Sequence, residues 1–309
     1  MNGRSPRIAD VVPALLTPFH EELTIDYGAL QDLADSLVST HGVGALFCAG
    51  HAGEVASLSP EERRSVVASV VEAVQGRVPV IAGNYTDSID EAVHMARDAR
   101  NAGADAVTVF PPPIFADGGT DCSEMPFRWF RTITEQADIP VIIFQLARSS
   151  GLGYAADTIA RIAELPSVVA IKEGSGDMTD YERNLRVLSQ CNPPVPVLTS
   201  NNSWLLASLA VGGDGILSGS SNVVAAEHVA LWKAIQAGDL TSARGMSDRL
   251  YPLVQRFYRP PFIDMHTRMK EALVLQGRLP RATVRPPLLP ISDGEREEIR
   301  QALIAAELL

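Results

Sequence analysis

A lysine closes a short apolar run in the segment VVAIKEGSGD, which extends from Val168 to Asp177. Burial disfavours the charged form of an amine, so Lys172 at the end of such a run can be held neutral. A neutral lysine can attack a carbonyl carbon and form an imine, which then withdraws electrons from the neighbouring carbon. The alternative is an ordinary strand end whose lysine extends its ammonium group to solvent.

Polar residues also close or follow other apolar runs. His51 follows the run that begins at Gly44, and Gln145 lies in the run that begins at Val141. Histidine exchanges protons near neutral pH, so His51 is a candidate acid or base, or else a loop residue that bonds backbone. Gln145 cannot titrate. It can orient a substrate oxygen or a water. Alternatively, it is a polar group at the site whose hydrogen bonds are made within the protein.

Eight short apolar runs alternate with helix-length segments along the chain. The runs begin at Val11, Gly44, Val78, Ala106, Val141, Val168, Val195 and Gly215. Continuous apolar runs are typical of strands buried on both faces, and repeated strand–helix units predict parallel strands joined by right-handed crossovers. We therefore predict an α/β fold, a (β/α)8 TIM barrel. An open doubly wound sheet is the alternative, but no G-x-G-x-x-G turn follows the first run.

The strand pattern ends near Gly238, and the rest of the chain has helical patterns. We predict a barrel over residues 1–238 and a C-terminal helical extension, packed on the barrel, over residues 239–309. In such barrels the active site lies at the C-terminal ends of the strands. The residues that end the runs, Lys172 and His51 among them, are therefore expected to meet in one pocket.

The composition excludes several classes of function. The chain of 309 residues is 46% hydrophobic and 20% charged, with a net charge of −11. This acidic balance argues against nucleic acid or an anionic membrane as a partner, and no stretch predicts a membrane span or a secretory signal. The three cysteines are far apart and fit a reducing compartment. We expect a cytoplasmic protein with no metal and no organic cofactor.

Several segments together resemble the dihydrodipicolinate synthase and N-acetylneuraminate lyase family. They occur in the family's order and are PALLTPF, GHAGEVASLSPEER, VVAIKEGSGD, GGDGILSGSSNV and MKEALVLQG. The resemblance covers about residues 12–290. It implies a barrel with C-terminal helices and a homo-oligomer, either a tetramer or a dimer. It also implies class I aldolase chemistry, in which Lys172 forms a Schiff base with a 2-oxo acid and no metal takes part.

The chain departs from this family at the residues that relay protons. His51 and Ala52 replace two small hydroxyl residues, and Phe144 replaces the tyrosine whose hydroxyl transfers protons over the imine. Pro112 and Pro113 replace a pair of tyrosines, one of which reaches a neighbouring subunit in the family. The synthase relay is therefore absent, and we do not expect dihydrodipicolinate synthase activity. His51 is the expected replacement acid–base.

The expected substrate contacts lie at the strand ends around Lys172. They are Ala52, Phe144, Gln145, Ser200, Asn202, Leu217 and Gly219. Related enzymes contact the distal part of their substrates after the seventh strand, so Asn202 is expected to hydrogen-bond a hydroxylated tail. Glu54 is expected to make structural hydrogen bonds below the site, and strand alternation points Glu173 away from it.

We interpret the sequence as a Schiff-base-forming lyase, an aldolase or a dehydratase, that acts on a small 2-oxo acid. A pyruvate adduct or a 2-keto-3-deoxy sugar acid would fit. The alternative is a non-catalytic or regulatory barrel that keeps the fold but has lost the proton relay. A metal-dependent aldolase is opposed by the lack of clustered ligands. Trapping the imine on Lys172 with borohydride distinguishes the first two hypotheses.

Overall fold

The structure is a computed structural model that describes residues 8–309. Eight parallel strands form one sheet in the order β1-β8-β7-β6-β5-β4-β3-β2. Parallel bridges from Val11 to Val43 and from Ala14 to Phe47 join its two ends, so the sheet closes into the predicted barrel. The strands are β1 Asp10–Pro13, β2 Leu46–Cys48, β3 Val80–Asn84, β4 Ala106–Val109, β5 Val141–Gln145, β6 Val168–Glu173, β7 Val197–Thr199 and β8 Gly215–Ser218.

One helix follows each strand and covers the outside of the barrel. A reciprocal capping box begins the α2 helix: it is formed by Ser59 and Glu62, and Pro60 occupies the first helical position. The helices are α1 Tyr27–Val38, α2 Pro60–Val74, α3 Ile89–Asn101, α4 Glu124–Ala137, α5 Ala156–Ala163, α6 Met178–Ser189, α7 Leu205–Ala210 and α8 Ser221–Gln236. No helix within residues 8–309 is both long and apolar enough to cross a membrane.

A glycine allows the turn after β2 to pack closely against β3. A Cβ atom at Gly83 would lie 2.0 Å from the carbonyl oxygen of Ala49, so only glycine permits this approach. Ala49 itself has a φ of 47°, and Glu54 at the end of the turn has a φ of 57°. The close approach fixes the turn that carries His51 at the rim of the barrel.

Three helices follow the barrel and form the C-terminal extension. They are α9 Leu240–Tyr258, α10 Met265–Leu275 and α11 Asp293–Ala305. The α9 and α10 helices pack on α8, and α11 packs on both of them. The segment between α10 and α11 returns to the rim of the barrel, where the backbone N–H of Arg285 donates to the Glu54 carboxylate at 3.1 Å. The helical extension is as predicted, and the proposed domain division at residues 238 and 239 stays a prediction.

Candidate active site

A cavity of about 850 Å³ opens at the C-terminal ends of the strands. Its floor consists of residues that end the barrel strands. Part of its wall comes from the extension, namely Tyr258, Phe262, Met265, His266 and the segment from Arg285 to Leu288. The cavity therefore lies where a barrel of this kind holds its active site, and two parts of the chain that are distant in sequence build it.

Lys172 lies in β6 and extends into this cavity. Its Nζ atom lies 4.0 Å from the centre of the Phe144 ring and 5.1 Å from the centre of the Phe47 ring. Within residues 8–309, no carboxylate lies within salt-bridge distance of this nitrogen. Burial lowers the pKa of Lys172 to about 7, since apolar surroundings disfavour the ammonium ion. A large fraction of the amine is therefore neutral at neutral pH and able to act as a nucleophile.

Glu173, the next residue, faces the opposite side of β6. Its carboxylate accepts hydrogen bonds from Asn201 Nδ2 at 2.7 Å and from Asn184 Nδ2 at 3.1 Å. The side chain is fully buried, and burial raises its pKa. Glu173 thus ties β6 to α6 and to the loop after β7, which agrees with the expectation that alternation turns it away from the cavity.

His51 lies at the rim of the cavity in the turn after β2. The centre of its ring is 5.2 Å from that of His266. Burial, followed by the charges of His266 and Lys172, lowers the pKa of His51 to about 3. The ring is therefore neutral at physiological pH. This favours the role of a base over that of an imidazolium that pairs with a substrate carboxylate.

His266, which lies in α10, also lines the cavity. Its two ring nitrogens lie 2.7 Å from the carbonyl oxygen of Ile263 and 2.8 Å from that of His51. A carbonyl oxygen only accepts, so a ring N–H of His266 donates to at least one of these two oxygens. His266 thereby fixes the backbone of the turn that carries His51. Because His266 lies 215 residues after His51, no local sequence pattern indicates that the two residues meet.

Six of the seven predicted substrate contacts line the cavity. They are Ala52, Phe144, Ser200, Asn202, Leu217 and Gly219. Phe144 is the register partner of Lys172 on the neighbouring strand, which explains why its ring lies beside the lysine nitrogen. The strand ends therefore bring these six residues together around one cavity.

Gln145 is the exception, and its predicted contact with substrate is not supported. The side chain is fully buried behind β5. Its Nε2 donates to the carbonyl oxygen of Tyr154 at 2.9 Å, and its Oε1 accepts from the Tyr154 N–H at 2.9 Å. Successive residues of a strand point to opposite faces. Because Phe144 faces the cavity, Gln145 must face the helices, where both its amide nitrogen and its amide oxygen are hydrogen-bonded.

A set of bonded polar groups, here called the hydroxyl cluster, lines the cavity at the ends of β7 and β8. Its members are Asn202, Ser218, Ser220 and Tyr258. Asn202 Oδ1 accepts from Ser218 Oγ at 2.5 Å and from Ser220 Oγ at 3.0 Å. Tyr258 Oη accepts from the Ser220 N–H at 3.2 Å. Burial raises the Tyr258 pKa, so its hydroxyl keeps a proton that it can donate. Tyr258 lies in α9 and was not selected from the sequence.

Glu54 and Lys270 form a buried ion pair beneath the cavity. Lys270 Nζ lies 2.5 Å from Glu54 Oε1 and 2.8 Å from the carbonyl oxygen of Thr283. The same carboxylate accepts from the Arg285 N–H. Glu54 therefore has the structural role expected of it, since it connects the turn after β2 to α10 and to the segment that borders the cavity.

The chain contains three lysines, whose environments differ. Lys172 lies in the cavity and Lys270 is paired with Glu54, whereas Lys233 is exposed on α8. Only Lys172 combines access to the cavity with the absence of an anionic partner among the described residues.

A family model described as the dihydrodipicolinate synthetase family matches residues 7–306. The chain belongs to this family. It is 33% identical over 293 residues to the 4-hydroxy-tetrahydrodipicolinate synthase of Syntrophus aciditrophicus, a match that covers 94% of this chain and 96% of the relative. It is 32% identical over 297 residues to the synthase of Methanoculleus marisnigri, with 95% and 98% covered.

Solved structures of dihydrodipicolinate synthetase family members have the same fold. A monomeric dihydrodipicolinate synthase variant superposes with a TM-score of 0.90 at 28% identity, and 99% of each chain is covered. YagE, a prophage protein from E. coli K12 that was solved in complex with pyruvate, superposes with a TM-score of 0.89 at 25% identity. That match covers 98% of this chain and 99% of YagE.

Members of the dihydrodipicolinate synthetase family are lyases of the class I aldolase type. They use a lysine that forms a Schiff base with pyruvate, and they need no metal or organic cofactor. Within residues 8–309, no three or more His, Cys, Asp or Glu side chains are grouped so that they could hold a metal ion.

Proposed function

We propose that Lys172 is the Schiff-base nucleophile of this lyase and that the substrate is a 2-oxo acid. The observation that carries the proposal is the environment of Lys172. Its amine is buried at the end of β6, faces the cavity, and has a pKa lowered to about 7. An amine with this pKa is a competent nucleophile at neutral pH.

The chemistry follows from imine formation. The Lys172 nitrogen attacks the C2 carbonyl of the 2-oxo acid, and the resulting carbinolamine loses water to give an imine. The protonated imine accepts electrons from the C3 side. When a C4 hydroxyl loses its proton, the C3–C4 bond breaks and an aldehyde leaves. When C3 loses its proton, the resulting enamine can expel a neighbouring hydroxide as water. The first course is an aldol cleavage and the second a dehydration.

His51 is the proposed acid–base group. Its neutral ring lines the same cavity as Lys172, so it can take a proton from the substrate. An anionic carboxylate bound nearby would raise its low pKa toward the useful range, because an opposite charge stabilises the imidazolium ion. Phe144 cannot carry out this step, because a phenyl ring has no exchangeable proton.

The proposed activity differs from that of a dihydrodipicolinate synthase. Phe144 occupies the position of the family's relay tyrosine, His51 and Ala52 replace the hydroxyl pair, and Pro112 and Pro113 replace two tyrosines. We expect no condensation of pyruvate with aspartate semialdehyde. Phe144→Tyr alone is not expected to create that activity, because the other positions differ as well.

Borohydride trapping tests the proposed nucleophile. Incubation with pyruvate and borohydride, followed by peptide mass spectrometry, should give one reduced adduct on Lys172. The variant Lys172→Met should give none, whereas Lys233→Ala removes an exposed lysine and should behave like the parent. An adduct that persists in Lys172→Met would overturn the assignment. The absence of any adduct in the parent would instead favour the non-catalytic barrel.

A further inference from the structure

We propose that the substrate carries an aromatic or similarly bulky apolar group beyond its reacting carbons, and not a hydroxylated chain. The proposal rests on imine formation at Lys172 and concerns what the rest of the cavity accepts. It replaces the expectation of a hydroxylated tail near Asn202.

Three aromatic rings form a continuous row that begins at the lysine. The Phe144 and Phe110 rings meet edge to face with centres 4.9 Å apart, and the Phe110 and Tyr85 rings do so at 5.5 Å. All three line the cavity at the ends of β5, β4 and β3. Lys172 Nζ lies 4.0 Å from the centre of the first ring. A group attached close to the imine carbon can therefore pack directly against this aromatic row.

Two leucines from the loop after β5 extend the same wall. Leu146 and Leu152 are half-buried and line the cavity. Together with the three rings they form what we call the apolar wall, whose side chains contain a single polar atom, the Tyr85 hydroxyl. A hydroxylated chain placed here would give up its hydrogen bonds to water and find almost no replacements. An aryl group would gain edge-to-face or stacked contacts with the row.

Asn202 and Asn201, which also line the cavity, already have hydrogen-bond partners within the protein. Asn202 Oδ1 takes two protons from the hydroxyl cluster, and its Nδ2 donates to the carbonyl oxygen of Ser200 at 2.9 Å. Asn201 is committed to Glu173 and to the Gly176 N–H. The Tyr258 hydroxyl has one proton, which can go either to Ser218 Oγ at 3.4 Å or to a single substrate oxygen, but not to a row of hydroxyls.

The mouth of the cavity is also apolar. Phe262 is 53% exposed and Ile263 is 49% exposed, and both line the cavity. Phe262 stacks on Tyr258 with ring centres 5.9 Å apart. The cavity volume of about 850 Å³ is in the range of sites that enclose molecules much larger than pyruvate. Both the entrance and the interior of the cavity therefore favour a substrate with an apolar group.

These features fit a 4-aryl-4-hydroxy-2-oxobutanoate in the cleavage direction. Lys172 forms the imine at C2, a base removes the proton of the C4 hydroxyl, and the C3–C4 bond breaks. The electron pair of that bond moves to the imine and gives an enamine, while the aryl aldehyde departs. Protonation of the enamine at C3 and hydrolysis of the imine release pyruvate and restore the amine. No oxidant, reductant or metal is required.

The test compares two 2-oxo acids in the same trapping reaction. One is 2-oxo-4-phenylbutanoate and the other is 2-keto-3-deoxygluconate, with pyruvate as the reference. The concentration that gives half-maximal adduct on Lys172 should be at least about tenfold lower for the phenyl compound. Equal concentrations, or a preference for the sugar acid while pyruvate is still trapped, would overturn the inference. If pyruvate itself is not trapped, the assignment of Lys172 as the Schiff-base nucleophile is wrong.

A substitution in the apolar wall provides the second measurement. Leu152→Asn should raise the half-maximal concentration of 2-oxo-4-phenylbutanoate relative to that of pyruvate by roughly tenfold. Leu165 is also half-buried, but it precedes β6 at the opposite end of the barrel, so Leu165→Asn is the matched control and should leave this ratio unchanged. A ratio unchanged in Leu152→Asn would contradict the placement of the aryl group on the apolar wall.

Discussion

A single lysine nitrogen determines the pH range in which the proposed chemistry can begin. Lys172 has its pKa lowered to about 7 because apolar rings surround it. The neutral amine reacts with carbonyl carbons, whereas the ammonium ion does not. The reactive fraction therefore rises as the pH increases through 7 and is nearly complete well below the usual pKa of a lysine.

We predict that imine formation on Lys172 levels off between about pH 7.5 and 8. Below pH 6 the initial rate of borohydride trapping with pyruvate should fall by about tenfold per pH unit, because the neutral fraction falls by that factor. The measurement is the adduct yield at short times across buffers from pH 5 to pH 10. A rate that keeps rising toward pH 10 would mean that Lys172 titrates like an exposed lysine.

His51 is the proposed acid–base group, so its removal should slow turnover. Removal of a general acid–base group costs ~10²–10⁴-fold in rate, so His51→Ala should lower turnover of the true substrate by that factor. Slow trapping of pyruvate on Lys172 should remain detectable. His94, exposed on α3, provides the matched control in His94→Ala. Turnover of His51→Ala within a few-fold of the parent would make His51 a structural residue of the turn.

A buried ion pair connects the turn after β2, α10 and the segment that borders the cavity. Glu54 and Lys270 are both buried, and the pair also holds the backbone at Thr283 and Arg285. A buried pair contributes little net stability compared with apolar residues, but the loss of one partner leaves an uncompensated charge. The pair therefore determines the arrangement of these elements more than their overall stability.

We predict that Lys270→Met lowers the free energy of unfolding by about 3–5 kcal/mol, since the Glu54 carboxylate stays buried without its partner. Glu54→Gln combined with Lys270→Met should recover part of this loss. Urea denaturation followed by circular dichroism measures both. A double variant less stable than Lys270→Met would show that the unpaired carboxylate is not the cause.

The strand pattern predicts the barrel better than it predicts the site. Eight apolar runs define the strands, and the position of Lys172 at the end of one run places it at the cavity. The rule that alternate residues face opposite sides would also have excluded Gln145 once Phe144 was assigned to the cavity. Tyr258 and His266 could not be found in this way, because they reach the cavity through packing between helices that are remote in sequence.

The barrel and the C-terminal extension together form the cavity that contains Lys172. The extension provides the Tyr258 hydroxyl and the His266 ring, and α9 packs on α8. Family members are usually oligomeric, and we expect a dimer or tetramer here, which analytical ultracentrifugation would measure.

We predict that a chain ending at Gly238 fails to form a monodisperse folded protein and gives no adduct on Lys172. Loss of the extension exposes α8 and opens the cavity to water. A chain ending at Pro290 keeps every cavity residue but loses α11, so it should retain trapping at a lower melting temperature. Size-exclusion chromatography and the trapping assay check both. Normal trapping by the shorter chain would contradict a shared site.

The small number of lysines has a consequence for the proposed aldol cleavage, which would release an aldehyde. Aldehydes condense readily with primary amines, so each accessible lysine of such an enzyme is a target for damage by its own product. Here arginine supplies most of the 26 basic residues, and among the three lysines only Lys233 is exposed. The surface thus keeps its positive charges in a form that resists this self-modification. Prolonged exposure to benzaldehyde and borohydride should add groups to Lys172 and Lys233 but spare Lys270.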